Sequence, residues 1–388
     1  MRPDPPSPGG LAELFPPEAA GLREVIRSLT GPNGIGTQTA RLPHAFQTRA
    51  ATATASSGPR ESAGVIVPEL YCPPALRDDR ALGDLVDEGL ASWVRDEIGV
   101  PPEHVDYLRA CAFGRLMMLA HPDCEDPELL LAAGKCAVAE WAVDDLYLDG
   151  DSAESEPERL GPRLALAYAA MAPARVPLPP YDEPFEERVR EDTCLRLIRS
   201  SWTNMARYAD DVQMFRLRHE LCVMFVAYNQ EAQWHISQRV PPTWEFLLHR
   251  WENAFCPCMV ATDVVGRYQV PFQEYAQPRV RRAFTAAGVA SVLVNDLFSI
   301  EKEAATNGFD YSLPGVLMAE HGCDLQEAVD RTAALHDELV RFFESESAAL
   351  SARGTPMLAR FLLGVWNWMG GGKEWHATSR RYHASEAG

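Results

Sequence analysis

The 388-residue chain carries 36 basic and 55 acidic side chains, a net charge of -19, and 46% of its residues are hydrophobic. This is the composition of a globular protein, and its negative charge disfavours binding to nucleic acids and anionic membranes, which attract basic surfaces. No run approaches the roughly 18 apolar residues of a membrane-spanning helix, so we expect no membrane insertion. The nine cysteines lack zinc-site spacing and the first ten residues lack an apolar signal core, so we expect reduced thiols in a cytoplasmic protein.

Residues 1–64 differ in composition from the rest of the chain. Twelve of the 30 prolines precede residue 75, and the stretch 51–64 is of low complexity without apolar periodicity. Such a segment cannot bury enough apolar surface to offset the entropy that it would lose on ordering. We therefore predict a Pro/Ala-rich disordered leader over residues 1–64 and a folded domain over residues 65–388.

The folded domain shows helical periodicity. Apolar residues recur at spacings of three and four residues, whereas clearly alternating runs are scarce. Helices are predicted at 81–99, 126–149, 241–268, 280–305, 324–350 and 355–370. The second of these begins with Asp126, Pro127 and Glu128, which supply an N-cap, a proline for the first helical position and a first-turn acid. We predict an all-α bundle of about ten helices.

Acidic residues cluster at the end of the predicted helix 126–149. Asp145 and Asp149 are four residues apart and share a helix face, while Asp144 lies about 100° around the axis. Negative charges at a helix C-terminus oppose the helix dipole and repel each other. Because Mg2+ prefers oxygen ligands, the cluster predicts a metal site; the alternative is a solvated, frayed helix end.

A second set of oxygen-bearing side chains lies on the predicted helix 280–305. Asn295, Ser299 and Glu303 are spaced four residues apart and form one stripe, at the point where apolar residues give way to charged ones. Mg2+ keeps water ligands and also binds substrate phosphate oxygens, so two facing sets of ligands would suit a diphosphate between them. The alternative is a capping asparagine followed by ordinary surface charges.

Together these motifs resemble the aspartate-rich motif and the NSE triad, (N,D)Dxx(S,T)xxxE, of class I terpene synthases, in order and in separation. Two further features match the family. Arg250 lies about 45 residues before Asn295, at the place of a diphosphate-sensing arginine, and Arg381-Tyr382 matches an Arg-Tyr pair near the C-terminus. Without the acidic motifs, Arg250 would be interpreted as the ion-pair partner of Glu245 or Glu252. Arg381 and Tyr382 would be interpreted as part of a disordered tail.

The resemblance covers roughly residues 66–385 and implies the class I terpenoid synthase fold around an apolar cavity. It implies a prenyl diphosphate substrate, three Mg2+ ions and often a homodimer, with residues 65–388 as the catalytic domain. Hydrogen bonds to the diphosphate would come from Arg250, Lys302, Arg381 and Tyr382. By the same resemblance, Asp145 would pair with Arg381 when the site closes, instead of binding a metal ion.

Three segments, PELYCPP (68–74), HPDCEDPELLLAAGKCAVAEWAVDD (121–145) and WNWMGGGKEWH (366–376), resemble the 2-methylisoborneol synthase group of bacterial terpene synthases. That group takes 2-methylgeranyl diphosphate, a C11 homomonoterpene substrate, and close relatives make 2-methylenebornane. The acidic motif departs from the group's pattern, which carries cysteines and a Glu-Asp pair where this chain has Leu146, Leu148, Asp149 and Gly150. The resemblance therefore leaves the exact product open.

A carbocation intermediate requires an apolar cavity whose aromatic faces stabilise positive charge. Each candidate ring could equally be an ordinary core residue; the candidates are Phe113, Tyr228, Trp234, Phe255, Trp366 and Trp368. Trp366 and Trp368 lie about 200° apart on a helix, so both cannot easily face inward.

Three alternatives remain at this level. A chain-elongating prenyltransferase would carry two aspartate-rich motifs, whereas the second motif here is an NSE triad. A sesquiterpene cyclase acting on farnesyl diphosphate would differ in cavity volume. A non-catalytic helical binding protein would use its Pro-rich leader as a docking segment in polyproline II form, and we expect instead that deleting residues 1–64 leaves turnover intact.

Overall fold

The computed structural model describes residues 60–62, 64–148, 156–171, 178–300 and 311–382. These residues form an all-α bundle, as predicted, preceded by a two-stranded antiparallel hairpin of β1 (Arg60–Ser62) and β2 (Val65–Val67). Nearly all of the predicted leader lies outside the described residues, and its disorder stays a prediction. Within the described ranges, no helix is both long and apolar enough to cross a membrane.

Sixteen α-helices lie in the described ranges, three of them only four or five residues long. In chain order they are α1 (Arg80–Trp93), α2 (Pro102–Cys111), α3 (Phe113–Ala120), α4 (Pro127–Val143), α5 (Leu160–Ala170), α6 (Pro179–Glu191), α7 (Thr193–Met205), α8 (Asp211–Ser237), α9 (Thr243–Glu252), α10 (Cys256–Val260), α11 (Thr262–Val265), α12 (Phe272–Tyr275), α13 (Pro278–Phe298), α14 (Leu313–His321), α15 (Leu325–Ser351) and α16 (Pro356–Thr378). Short π-helical turns follow α1 (Val94–Ile98) and α4 (Asp144–Leu148), and 3-10 turns lie at Pro157–Arg159 and Arg380–Tyr382.

The predicted start of α4 is confirmed by its cap. The Asp126 carboxylate accepts a hydrogen bond from the backbone N–H of Glu128 (3.0 Å), and Pro127 occupies the first helical position, where its missing N–H costs nothing. An acidic cap also opens α15, where Asp324 accepts from the N–H of Glu327 (2.9 Å). Local sequence signals therefore define where these helices begin.

The stretch 241–268, predicted as one helix, is divided into α9, α10 and α11. The chain leaves the helical path after Glu252 and resumes at Cys256, with Pro257 in the first turn of α10. A Cβ atom at Gly288 of α13 would lie 2.8 Å from the Cys256 sulfur, so the break packs directly onto α13. Divisions of this kind raise the number of helices above the predicted ten.

Helix α16 continues past its predicted end at residue 370, through Gly370, Gly371 and Gly372. Each glycine costs about 1 kcal/mol relative to alanine in a helix interior, which favours a helix end on sequence grounds. Packing explains why the helix continues. A Cβ at Gly371 would lie 2.5 Å from the backbone of Leu119 in α3, and one at Gly370 would lie 2.7 Å from the carbonyl oxygen of Pro73.

Two buried helices at the centre of the bundle carry the predicted acidic motifs. Helix α13 packs against α15, α16 and α9, and helix α4 packs against α1, α3 and α7. Most of the side chains on both helices are buried. The polar C-terminal ends of α4 and α13 are therefore fixed in position by the core on which the rest of each helix packs.

Candidate active site

The first acidic motif lies in the π-helical turn that follows α4. Asp144 caps the C-terminus of α4, and Asp144 and Asp145 are both half-buried. The phenol of Tyr147 donates to Asp192 (2.7 Å), the residue that caps α7, and so anchors the turn to that helix. Single π-helical turns occur frequently at functional sites. The third predicted ligand, Asp149, lies outside the described residues.

Asp145 forms a bidentate ion pair with Arg381. The two guanidinium nitrogens of Arg381 donate to the two carboxylate oxygens at 2.8 and 2.6 Å. The Arg381 side chain is 5% exposed and that of Asp145 is 34% exposed. Burial alone would lower the pKa of Arg381, but the Asp145 carboxylate outweighs it and raises that pKa well above its usual value. The structure thus contains the pair that the resemblance implies for a closed site.

The second motif begins in the last turn of α13. The side-chain amide of Asn295 donates to the phenol oxygen of Tyr382 at 2.8 Å. Ser299, which is buried, caps this helix, and its backbone N–H donates to the carbonyl of Asn295 (2.9 Å). The remaining predicted residues of this motif, Lys302 and Glu303, lie outside the described residues.

The Arg-Tyr pair belongs to a buried turn, because Arg381 and Tyr382 are only 8% and 3% exposed. Two bonds to one carbonyl group hold the preceding residues. The carbonyl of Cys111 accepts from the indole N–H of Trp375 (2.8 Å) and from the hydroxyl of Ser379 (2.8 Å). The C-terminal turn is therefore fixed to the junction of α2 and α3, and the alternative of an exposed tail is wrong.

Arg250 pairs with the second residue of the second motif. Its guanidinium donates to Asp296 at 2.6 Å, and the other oxygen of that carboxylate accepts from the backbone N–H of Leu313 (2.9 Å). Asp296 is 1% exposed, so this is a buried ion pair. The alternative partner Glu245 instead pairs with Arg239. Arg250 thus links α9 to the α13 motif.

A continuous group of aromatic rings adjoins these polar contacts through Tyr382. Neighbouring ring centroids are 4.8 to 5.9 Å apart, a separation at which aromatic pairs attract. We call this group the aromatic cluster; its members are Phe113, Trp141, Phe255, Trp368, Trp375, His376 and Tyr382.

Three members of the aromatic cluster, Phe113, Phe255 and Trp368, were candidates on sequence grounds. Trp141 and Trp375 were missed. Trp141 lies three residues before Asp144 and so is close to the motif on the helix surface, which is a signal that sequence analysis could have used. Trp375 stands in the segment 366–376, but nothing local indicates that it is buried.

Two of the other three predicted rings, Trp234 and Trp366, make ring contacts elsewhere in the described residues. Trp234 stacks on Tyr311, with centroids 5.8 Å apart. Trp366 stacks on Phe343 (6.2 Å), between α15 and α16, while Trp368 is fully buried, as expected for residues on different sides of one helix. Tyr228 is 5% exposed, within α8.

The described part of the chain contains no group of three or more His, Cys, Asp and Glu side chains arranged to hold a metal ion. Two of the predicted ligands, Asp149 and Glu303, lie outside it. Two of the remaining predicted ligands, Asn295 and Ser299, carry an amide and a hydroxyl instead of a carboxylate. The donors that are described belong to Asp144, Asp145, Asn295 and Ser299. They offer oxygen atoms, which are the ligands that Mg2+ prefers, so their chemistry fits the expected ion.

Comparison with known proteins agrees with this geometry. Residues 135–341 match the model of terpene synthase family 2, C-terminal metal binding. The chain is 35% identical over 379 residues to 2-methylisoborneol synthase from Streptomyces griseus, covering 97% of this chain and 84% of that protein. It is 33% identical over 319 residues to 2-methylisoborneol synthase from Saccharopolyspora erythraea, covering 81% and 89%.

The solved structure of Streptomyces coelicolor A3(2) 2-methylisoborneol synthase, in complex with Mg2+ and 2-fluoroneryl diphosphate, is also similar. The TM-score is 0.78 at 32% sequence identity, covering 82% of this chain and 98% of that chain. The family match spans both acidic motifs and Arg250, and it sets aside the chain-elongating prenyltransferase and the non-catalytic binding protein. The chain belongs to the terpene synthase family and is an enzyme that acts on diphosphates as a terpene cyclase.

Proposed function

We propose that this terpene synthase ionises 2-methylgeranyl diphosphate with the help of Mg2+ and cyclises the C11 cation to a bornane-type product. The observation that carries the proposal is that one C-terminal turn bonds to both acidic motifs. Arg381 binds Asp145, and Tyr382 binds Asn295, next to the aromatic cluster. Similarity to 2-methylisoborneol synthases over most of the chain supports the choice of substrate.

Oxygen donors from two helix ends would hold the metal ions, three by analogy with the family. One wall would contribute Asp144, Asp145 and Asp149, and the other Asn295, Ser299 and Glu303. When bound, the ions supply positive charge that stabilises the departing diphosphate. Its oxygens would also accept hydrogen bonds from Arg250, Lys302, Arg381 and Tyr382.

The two described aspartates would have different roles. Both carboxylate oxygens of Asp145 accept hydrogen bonds from Arg381, so we assign the larger part of metal binding to Asp144. Arg381 remains cationic at any physiological pH, because Asp145 raises its pKa. The ion pair is neutral as a whole, so its proposed contribution is positional: it would hold the guanidinium where the diphosphate oxygens can accept hydrogen bonds from it.

The aromatic cluster would guide the cation and exclude water. Trp368 and Trp375 are fully buried, and aromatic faces attract positive charge. Ionisation and recapture would give 2-methyllinalyl diphosphate, whose rotation permits closure to an α-terpinyl-type cation. A second closure gives a tertiary 2-methylbornyl cation. Addition of water would yield 2-methylisoborneol, and loss of a methyl proton would yield 2-methylenebornane.

A product assay tests the proposal. Purified enzyme with Mg2+ would be offered 2-methylgeranyl, geranyl and farnesyl diphosphates separately, and the volatile products would be analysed by gas chromatography–mass spectrometry. We expect the highest kcat/KM with the C11 substrate and a bornane skeleton in the product. A preference for farnesyl diphosphate with a C15 product would refute the substrate assignment and identify a sesquiterpene cyclase.

The assay also distinguishes the two final steps. In water enriched in 18O, addition of water would introduce 18O into the alcohol, whereas loss of a proton gives a hydrocarbon without label. A variant lacking residues 1–64 should give the same product with the same kcat, because the proposed site lies entirely within residues 65–388. Loss of turnover in that variant would contradict the proposed division of the chain.

A further inference from the structure

The segment Val65–Asp79, which we call the strap, packs behind the second acidic motif. Val65, Val67 and Leu70 of the strap are 7%, 3% and 6% exposed. They belong to an apolar cluster separate from the main core, together with Val294, Leu297, Ile300, Val329 and Ala333. The strap therefore shares an apolar cluster with α13 and α15.

The strap and the proposed metal ligands occupy opposite faces of α13. With about 100° between successive residues, Val294, Leu297 and Ile300 lie on one face. Asn295 and Ser299 lie on the other, about 180° away. Loss of packing on the first face would leave the last turn of α13 less restrained, and the ligands on the second face would move with it.

Polar contacts fix the strap to α15. The side-chain amide of Gln326 accepts from the backbone N–H of Ile66 and donates to its carbonyl, both at 2.8 Å, as a neighbouring strand would. Further along, Asp337 accepts from the backbone N–H of Tyr71 (2.8 Å), and the phenol of Tyr71 donates to Glu344 (2.6 Å). The strap is therefore bound at three points along α15.

The far end of the strap is linked to the end of α16 through Arg115 of α3. Asp78 pairs with Arg115 at 3.0 Å, and a second nitrogen of that guanidinium donates to the hydroxyl of Thr378 (2.6 Å). Thr378 is the last residue of α16, three residues before Arg381. One continuous segment thus contacts the helix that carries Asn295 directly, and it is linked through Arg115 to the end of the helix that leads to Arg381.

We propose that the strap is a positioning element of the metal and diphosphate site, and that Val67 is its most important contact with the apolar cluster. It holds the last turn of α13 and the end of α16 at a fixed separation, so that Asn295 and Tyr382 stay within hydrogen-bond distance of each other. The inference rests on the proposed function, because it assigns the strap an effect on that same site. A substitution that loosens the strap is then expected to weaken the binding of Mg2+ and diphosphate, and not merely to lower the melting temperature.

Two residues of β2 give a matched test in the full-length enzyme. Val67→Ala removes packing on the α13 side, while Ile66→Ala removes a side chain that is 52% exposed on the other face. Two quantities are measured well below the unfolding temperature of each variant. They are the Mg2+ concentration for half-maximal turnover and the calorimetric Kd of inorganic pyrophosphate with Mg2+.

We expect Val67→Ala to raise both quantities about fivefold, as partial loss of packed apolar contacts would, and Ile66→Ala to change neither. Val67→Ile, which keeps an apolar branched side chain, should restore them. If Val67→Ala lowers the melting temperature but binds Mg2+ and pyrophosphate as Ile66→Ala does, the strap is merely structural and the inference fails.

A second variant keeps the test decisive if Val67→Ala does not fold. Gln326→Glu removes the donor to the Ile66 carbonyl at an exposed position, and it should raise the same two quantities in the same direction. Unchanged values would overturn the inference. If no prenyl diphosphate is turned over by the unmodified enzyme, the proposed function has failed, while the calorimetric comparison still decides whether the strap positions an anion site.

Discussion

Asp145→Asn would measure how strongly the C-terminal turn is held to the first acidic motif. The substitution keeps the size of the side chain but removes its charge and one of the two oxygens that bind Arg381. A hydrogen bond to a charged group contributes about 1.5–3 kcal/mol. Because Asp145 is 34% exposed, solvent screening brings the expected loss in the free energy of unfolding towards about 1.5–2 kcal/mol.

The Arg381 guanidinium cannot recover this loss through water, since its side chain is 5% exposed. A loss of 1 kcal/mol lowers the melting temperature of a domain of this size by about 2 °C, so we expect Asp145→Asn to melt about 3–4 °C lower. The assay is thermal unfolding followed by circular dichroism at pH 7, without Mg2+ or substrate. Asp84→Asn, at an exposed carboxylate on α1, is the control and should change stability by less than about 0.5 kcal/mol.

If both variants melt within about 1 °C of the unmodified protein, the burial of the Arg381 guanidinium does not require the charge of Asp145. The C-terminal turn would then be held by its bonds to the α2–α3 junction alone. A large loss of turnover without a loss of stability would instead indicate that Asp145 acts mainly on bound metal.

Three further predictions concern the two acidic motifs and helix α4. Asn295→Ala should abolish turnover at saturating Mg2+, because a metal ligand is lost, and near-normal kcat would remove Asn295 from the mechanism. Asp144→Ala should lower kcat more than Asp149→Ala, and the reverse ranking would mean that the motif is wrongly assigned. Burial raises the pKa of Glu140 to about 8, although the Cys258 thiol that donates to it (3.0 Å) acts in the opposite direction. In the unfolded chain this carboxyl ionises near pH ~4.3, so the unmodified protein should lose up to about 1.4 kcal/mol per pH unit as pH rises towards 8. Glu140→Gln should lack this loss in urea unfolding at pH 5 and 8, and an equal difference between the two proteins at both pH values would contradict the reasoning.

Local patterns were sufficient to predict the helices that carry the site and the order of its motifs. The cap at Asp126 and the apolar spacing that follows it define α4, and the spacing of Asn295 and Ser299 places both on one face of α13. These features depend on residues that are close in sequence, and for that reason they could be recognised without a structure. The fold class followed from the same periodicity, supported by the family resemblance.

Contacts between distant parts of the chain could not be predicted in the same way. Arg250 had neighbouring acids as plausible partners, but the structure pairs it with Asp296, because both side chains face the same buried boundary between α9 and α13. Helical geometry predicted that Trp366 and Trp368 cannot both easily face inward, and the structure packs Trp366 against Phe343 while Trp368 joins the aromatic cluster. Each of these outcomes depends on which helices become neighbours.

The three consecutive glycines of α16 bear on how the product of this enzyme could change during evolution or engineering. Replacing a helical glycine with alanine is normally a stabilising choice, but a methyl group at Gly371 would collide with the α3 backbone at 2.5 Å. Gly372 is different, because the nearest atoms that an added methyl group would meet belong to the Trp368 ring, at 3.1 Å, and not to another helix's backbone. A small substitution at Gly372 would therefore press on one ring of the aromatic cluster without forcing the helices apart, whereas Gly371 is a fixed point of the scaffold.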